Sequence, residues 1–136
     1  MKRRIPGLHQ ATPQQQDLPD GFCLVEVVRA RYRYHSEKPY LSLDFTLLEP
    51  RPLAGREIAA RLYCTVKALW KLNWFLRDFG YDLDLLGRDE VEEKAIIGLR
   101  GVVKVSHTRF NGRSYLNLDG FASADSWSQF ELEKAG

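Results

Sequence analysis

From Phe22 to Tyr34 apolar side chains recur at every second position, in two phases. Cys23, Val25 and Val27 share one face; Val28, Ala30, Tyr32 and Tyr34 share the other. A change of phase inside one run predicts a long strand with a bulge or sharp bend near Val27 and Val28. Residues 33–39 read as a loop. Leu41, Leu43, Phe45 and Leu47 then alternate with Ser42, Asp44 and Thr46, the pattern of a half-buried strand. A turn with Pro50, Pro52 and Gly55 follows, and Ile58, Ala60, Leu62 and Cys64 mark a third strand.

The period then changes from two to 3.6. Thr65 is suited to cap a helix, whose buried stripe is expected to be Leu69, Leu72, Leu76 and Phe79, ending at Gly80. An acidic stretch over 82–97 comes next, with a short helix expected at 89–97. Two further strands, 99–110 and 113–121, flank Asn111-Gly112, a strong hairpin signal. A two-residue loop pairs Phe110 with Arg113, Thr108 with Tyr115, Ser106 with Asn117 and Lys104 with Asp119, with Val103, Val105, Leu116 and Leu118 on the other face.

The order β-β-β-α-β-β, with a first strand that bends midway, predicts a mainly β fold: a five-stranded, OB-fold-like Greek-key barrel with one helix between strands three and four. The competing arrangement is an open α+β sheet covered by a helix. Residues 1–20, with Pro6, Pro13, Pro19 and a Gln14-Gln15-Gln16 run, read as a flexible arm. Residues 21–122 form the single domain, and 123–136 a tail whose Trp127 and Phe130 are apolar enough to dock on it.

The chain has 136 residues, 44% hydrophobic and 28% charged, an ordinary globular balance. No run reaches the ~18–20 apolar residues of a membrane span, and the basic start, Lys2-Arg3-Arg4, is broken by Pro6 before any signal-peptide core. The expected location is the cytoplasm. Cys23, Cys64, His9, His35 and His107 are too scattered for a metal site, and no cofactor motif occurs. Net charge is +2, but residues 82–93 carry six acids and one base, leaving the rest of the chain at +7. A basic body with one acidic patch suits a polyanion partner or self-association.

The sequence has no phosphate-binding Gly-rich loop, no nucleophile elbow and no His-Glu-x-x-His. Asp82 and Asp84 are spaced as a carboxylate pair without a third ligand, so a nuclease-like centre lacks its metal cluster. No enzyme is expected. Nucleic-acid binding has positive support. Arg29, Arg31 and Arg33 share one face of the first strand, and the outward residues of the next two include Tyr40, Ser42, Asp44, Glu57, Arg61 and Tyr63. The flanking loops supply Arg33, His35 and Lys38 on one side and Arg109, Phe110, Arg113 and Tyr115 on the other. Cations attract phosphate, and bases stack on aromatic rings for ~1–3 kcal/mol each. Against this, Arg29 and Arg31 can be spent on ion pairs with Asp44 and Glu57. On the helix, Lys67, Trp70, Lys71, Trp74 and Arg77 fall opposite the apolar stripe, a second stacking surface or a partner face unless another segment covers it.

The run Lys38-Pro39-Tyr40-Leu41-Ser42-Leu43-Asp44-Phe45, then Gly55-Arg56-Glu57-Ile58, a helix, Leu99-Arg100-Gly101-Val102-Val103 and the Asn-Gly hairpin resembles small phage and prophage proteins. That family is regarded as OB-fold and associated with single-stranded DNA in replication or recombination modules. The likeness spans about residues 21–121 and implies a cytoplasmic, non-catalytic, strand-protecting protein. The faintly acidic end, from Phe130 to Gly136, departs from the long acidic tail of bacterial housekeeping single-strand binders. The rival expectation is an OB-fold adaptor that uses the Trp70/Trp74 face and ignores nucleic acid, DNA or RNA.

Overall fold

The computed structural model describes residues 2–4, 18–35 and 38–130, the His35 side chain excepted. The flexible-arm reading of the N-terminus therefore falls mostly outside the described residues, as do residues 131–136. Five strands form one antiparallel open sheet: β1 (Gly21–His35), β2 (Lys38–Glu49), β3 (Glu57–Tyr63), β4 (Arg100–Phe110) and β5 (Arg113–Ser123). Their lateral order is β3-β2-β1-β4-β5. Between β3 and β4 lie three helices, α1 (Leu69–Asp78), α2 (Leu83–Gly87) and α3 (Glu93–Ile96); the last falls where a short helix was expected, and α2 is additional.

The two-phase pattern of β1 is a bulge. Val27 pairs with Phe45 and Arg29 with Asp44, so Val28 is the extra residue, and the side chains beyond it change face. The bend divides the pairing: β1 meets β4 only over its first half, while its second half has β2 alone. Both strands run further than expected, to His35 and from Lys38, which extends the β1–β2 ribbon.

The inner face carries the core. Val25, Val27, Leu43, Phe45 and Val103 are fully buried there, and α1 lies across them. α1 buries Leu72, Phe75 and Leu76, followed by Phe79; Leu69, expected inside, is exposed. Phe75 and Phe79 lie 4.6 Å apart and pack on Phe45 of β2 and Phe121 of β5 at 5.5–6.1 Å between ring centroids. The helix enters through a one-turn 3-10 segment, Val66–Ala68, and Thr65 makes no side-chain cap bond.

The acidic stretch works as helix caps. Asp82 accepts from the N–H groups of Asp84 at 2.8 Å and Leu85 at 3.2 Å, and Glu92 accepts from Lys94 at 3.4 Å. Carboxylates suit these positions because helix N-termini present free N–H groups and a positive dipole end. Buried Ile96 and the Tyr81 hydroxyl, which donates to the Glu90 carbonyl and accepts from the Glu92 N–H, tie the segment to the body.

In the β4–β5 hairpin, Asn111 and Gly112 both have positive φ, at 53° and 76°, as a two-residue I′ turn requires. The expected pairs hold from the turn to Ser106 opposite Asn117. A further bulge then places Lys104 opposite Gly120, not Asp119. A Cβ at Gly120 would come within 2.9 Å of the Trp74 indole, so a glycine lets the helix lie close here. Trp127 is buried and Phe130 stacks on Phe22 at 4.3 Å, so the first part of the tail is docked on the outer face of the sheet. No helix among the described residues is long and apolar enough to cross a membrane.

Candidate functional site

Directly paired residues of antiparallel strands point to the same side. Arg29, Arg31 and Arg33 pair with Asp44, Ser42 and Tyr40, which pair in turn with Ala59, Arg61 and Tyr63. Six of the expected site residues therefore occupy one outer face of β1–β2–β3. Lys38, two positions before Tyr40, continues it. Arginines at alternate positions of one strand stand ~6.6–6.8 Å apart, a regular row of positive charge.

Two carboxylates interrupt this row, and one arginine answers both. Arg29 Nε lies 3.0 Å from Asp44 Oδ2, and its guanidinium 3.9 Å from Glu57. Among the described residues, Arg31, Arg33, Lys38 and Arg61 have no carboxylate within 4 Å. The cationic character of the face thus rests on these four, and Arg29 serves to mask acids.

The aromatic residues separate into covered and open. Tyr40 is only 8% exposed. The Arg61 guanidinium carbon sits 4.8 Å above its ring and Tyr63 lies 5.7 Å beside it. Tyr40 is not a bare stacking platform, contrary to expectation; it is a bed that holds Arg61. Tyr63 is open at 39%. On the β4–β5 ribbon Phe110, Arg113 and Tyr115 project from one side, with Phe110 64% exposed. Arg109 pairs with Ser114 and points to the opposite side, so it does not join them.

Two open aromatics were not among the expected site residues. Tyr32 and Tyr34 follow Ala30 on the inner side of β1, yet lie beyond the reach of the core, and Tyr34 is 66% exposed. Their alternation with Ala30 reads as core; only the overhang of the β1–β2 ribbon past the buried core exposes them.

The helix face is also divided. Trp74 packs edge-on against Phe121 at 5.7 Å and donates to Asp78 Oδ2 at 2.8 Å, so it belongs to the body. Trp70 stacks on it at 6.2 Å and remains 62% exposed, with Val66 and Leu69 exposed nearby. Lys67 and Arg77 are exposed, whereas Lys71 turns toward β3 and β5 and lines a cavity between them. At Cys64, just past β3, burial pushes the thiol up and a backbone hydrogen bond from Leu41 partly offsets it. Among the described residues no group of three His, Cys, Asp or Glu is arranged to hold a metal ion.

Compared with known protein families the chain matches none, and no curated protein matches it either. The functional reading rests on the geometry of the face.

Proposed function

We propose that this chain is a non-enzymatic, OB-fold-type protein that binds single-stranded nucleic acid, DNA in the first instance, with little sequence preference. It would act in the cytoplasm, in a phage-type replication or recombination module. The observation that carries this reading is the strand register. It aligns Arg31, Arg33, Lys38 and Arg61 without acidic partners beside an open Tyr63. Phosphates would be held by those cations and by Arg113; bases would stack on Tyr63, Phe110 and Tyr115. The barrel identity is supported by the sheet order β3-β2-β1-β4-β5, that of a five-stranded Greek-key barrel opened between β3 and β5, and by the bulged β1 that serves both halves.

Fluorescence anisotropy with a labelled single strand of ~30 nucleotides, beside the matching duplex, tests the proposal. The expected result is micromolar or tighter binding that favours the single strand and weakens steeply with salt, because each neutralised phosphate releases counterion. Absence of binding at low salt would overturn it. The second reading, an adaptor that docks a protein through α1, is favoured by one observation, the bare indole of Trp70 beside Val66 and Leu69. An adaptor would be indifferent to Arg31 and Arg61 and would fail when Trp70 is truncated.

A further inference from the structure

The two edge strands of the sheet, β3 and β5, face one another across a cavity of about 390 Å³. That volume falls within the ~300–1,000 Å³ of small-molecule sites. Its lining has three features that together describe a ligand. Ala60 of β3 with Leu116 and Leu118 of β5 gives it an aliphatic side, while Ala59 and Arg61 open onto the outer face. An edge strand leaves alternate N–H and C=O groups without a ladder partner, and here two such edges, with Asn117 between the leucines, border one space. The rim carries Arg61 and Lys71, and among the described residues no Asp or Glu lines the cavity.

An aliphatic side, mixed donors and acceptors, and two cations match the base and phosphate of a nucleotide. Ser42 and Arg61 belong both to this cavity and to the basic outer face, so a strand lying on that face would pass its mouth. Arg61 is held at the junction by the Tyr40 ring beneath it. We propose that the slot between β3 and β5 takes one nucleotide of the bound strand, with its base between the two edges and its phosphate on Arg61 and Lys71. This rests on the nucleic-acid reading above and adds to it a position at which the base itself is sensed.

The test maps backbone amide shifts of the full chain with two probes at equal salt. One is a mixed-sequence single-stranded 15-mer; the other is a 15-mer of the same length made wholly of abasic sites. The expected result is that Ala60, Arg61, Lys71 and Asn117 shift with the base-bearing strand alone, while Arg31, Arg33 and Lys38 shift with both. Leu116→Phe, which fills the slot from the half-buried Leu116 of β5 and away from the basic face, is expected to weaken binding of the base-bearing strand about tenfold and leave the abasic strand unaffected, with the thermal midpoint as the check on folding. Slot amides that respond equally to both probes, or to neither while the strand still binds on the face, would overturn the slot and leave the wider reading intact. Slot amides that change only as protein concentration rises would overturn it in favour of strand pairing between copies. Failure of wild-type protein to bind either probe would remove the wider reading and the slot with it.

Discussion

Arg29 and Arg31 are two residues apart on the same face, and their neighbours assign them different work. Arg29 is occupied by Asp44 and Glu57; Arg31 faces Ser42 and is open. An exposed pair of this kind contributes at most about 1 kcal/mol to folding, so its larger effect is on the field of the face. Replacing the acids together, Asp44→Asn with Glu57→Gln, releases the Arg29 guanidinium. The expected outcome is about fivefold tighter strand binding, the worth of one further hydrogen-bonded contact near 1 kcal/mol, with a steeper salt dependence in the same titration. Unchanged affinity would mean that the strand does not cross this part of the face. Cys64 offers a test by pH. Its thiol holds the proton more tightly in the folded chain than in the unfolded one, because burial disfavours the thiolate. In the alkaline range where the unfolded thiol ionises, the folded state binds more protons, so the unfolding free energy falls as pH rises. Denaturant titrations of Cys64→Ser should show a shallower alkaline decline than wild type; matching declines would assign the effect elsewhere.

At the scale of elements, local chemistry and tertiary context divide the credit. The hairpin turn was legible because Asn-Gly prefers positive φ at both positions, whatever surrounds it. The bulge in β1 was legible because a phase change in a period-two pattern has few other causes. The stripe of α1 was legible only in part: Leu72, Leu76 and Phe79 stood out, but the stripe is centred so that Phe75 is buried and Leu69 is left outside. The carboxylates of the acidic stretch remain largely in water. Asp82 nevertheless bridges two N–H groups at the start of α2. Asp82→Ala is expected to cost about 1 kcal/mol, read as a lower thermal midpoint and faster amide exchange at Asp84 and Leu85. Faster exchange without a midpoint change would show that α2 opens independently of the sheet.

The whole molecule depends on close approach between α1 and the second half of the sheet. A Cβ at Gly101 of β4 would run into the Phe79 ring, and one at Gly120 of β5 would meet Trp74 at 2.9 Å. The two collisions differ in what can yield. Phe79 is enclosed by Phe45, Phe75 and Phe121, whereas Trp74 is partly open at the surface. Gly101→Ala is therefore expected to destabilise by about 1–3 kcal/mol, the usual cost of overpacking, and Gly120→Ala by less. Equal losses in chemical denaturation would mean that α1 moves as a rigid body on the sheet. The same seating of α1 brings Lys71 to the opening between β3 and β5, so the packing that stabilises the fold also shapes the proposed nucleotide slot.

Periodicity, turn chemistry and charge placement determined the order of strands, the main helix, the bulge and the basic row on β1, because each depends on residues close together in the chain. The register of β1 with β2 and β3 then follows from alternation, since a slip by one residue would turn the core outward. Tertiary structure alone decided which members of the row stay open. Arg29 is paired with acids from two other strands, Tyr40 is covered by Arg61, Arg109 faces away from Phe110, and Trp74 is enclosed by a glycine and a phenylalanine of β5. Except for Arg109, which the hairpin register settles, each of these outcomes joins side chains from separate elements. A pattern along one strand or helix specifies a face; what stands across from that face is set only when the sheet curls and the helix is seated.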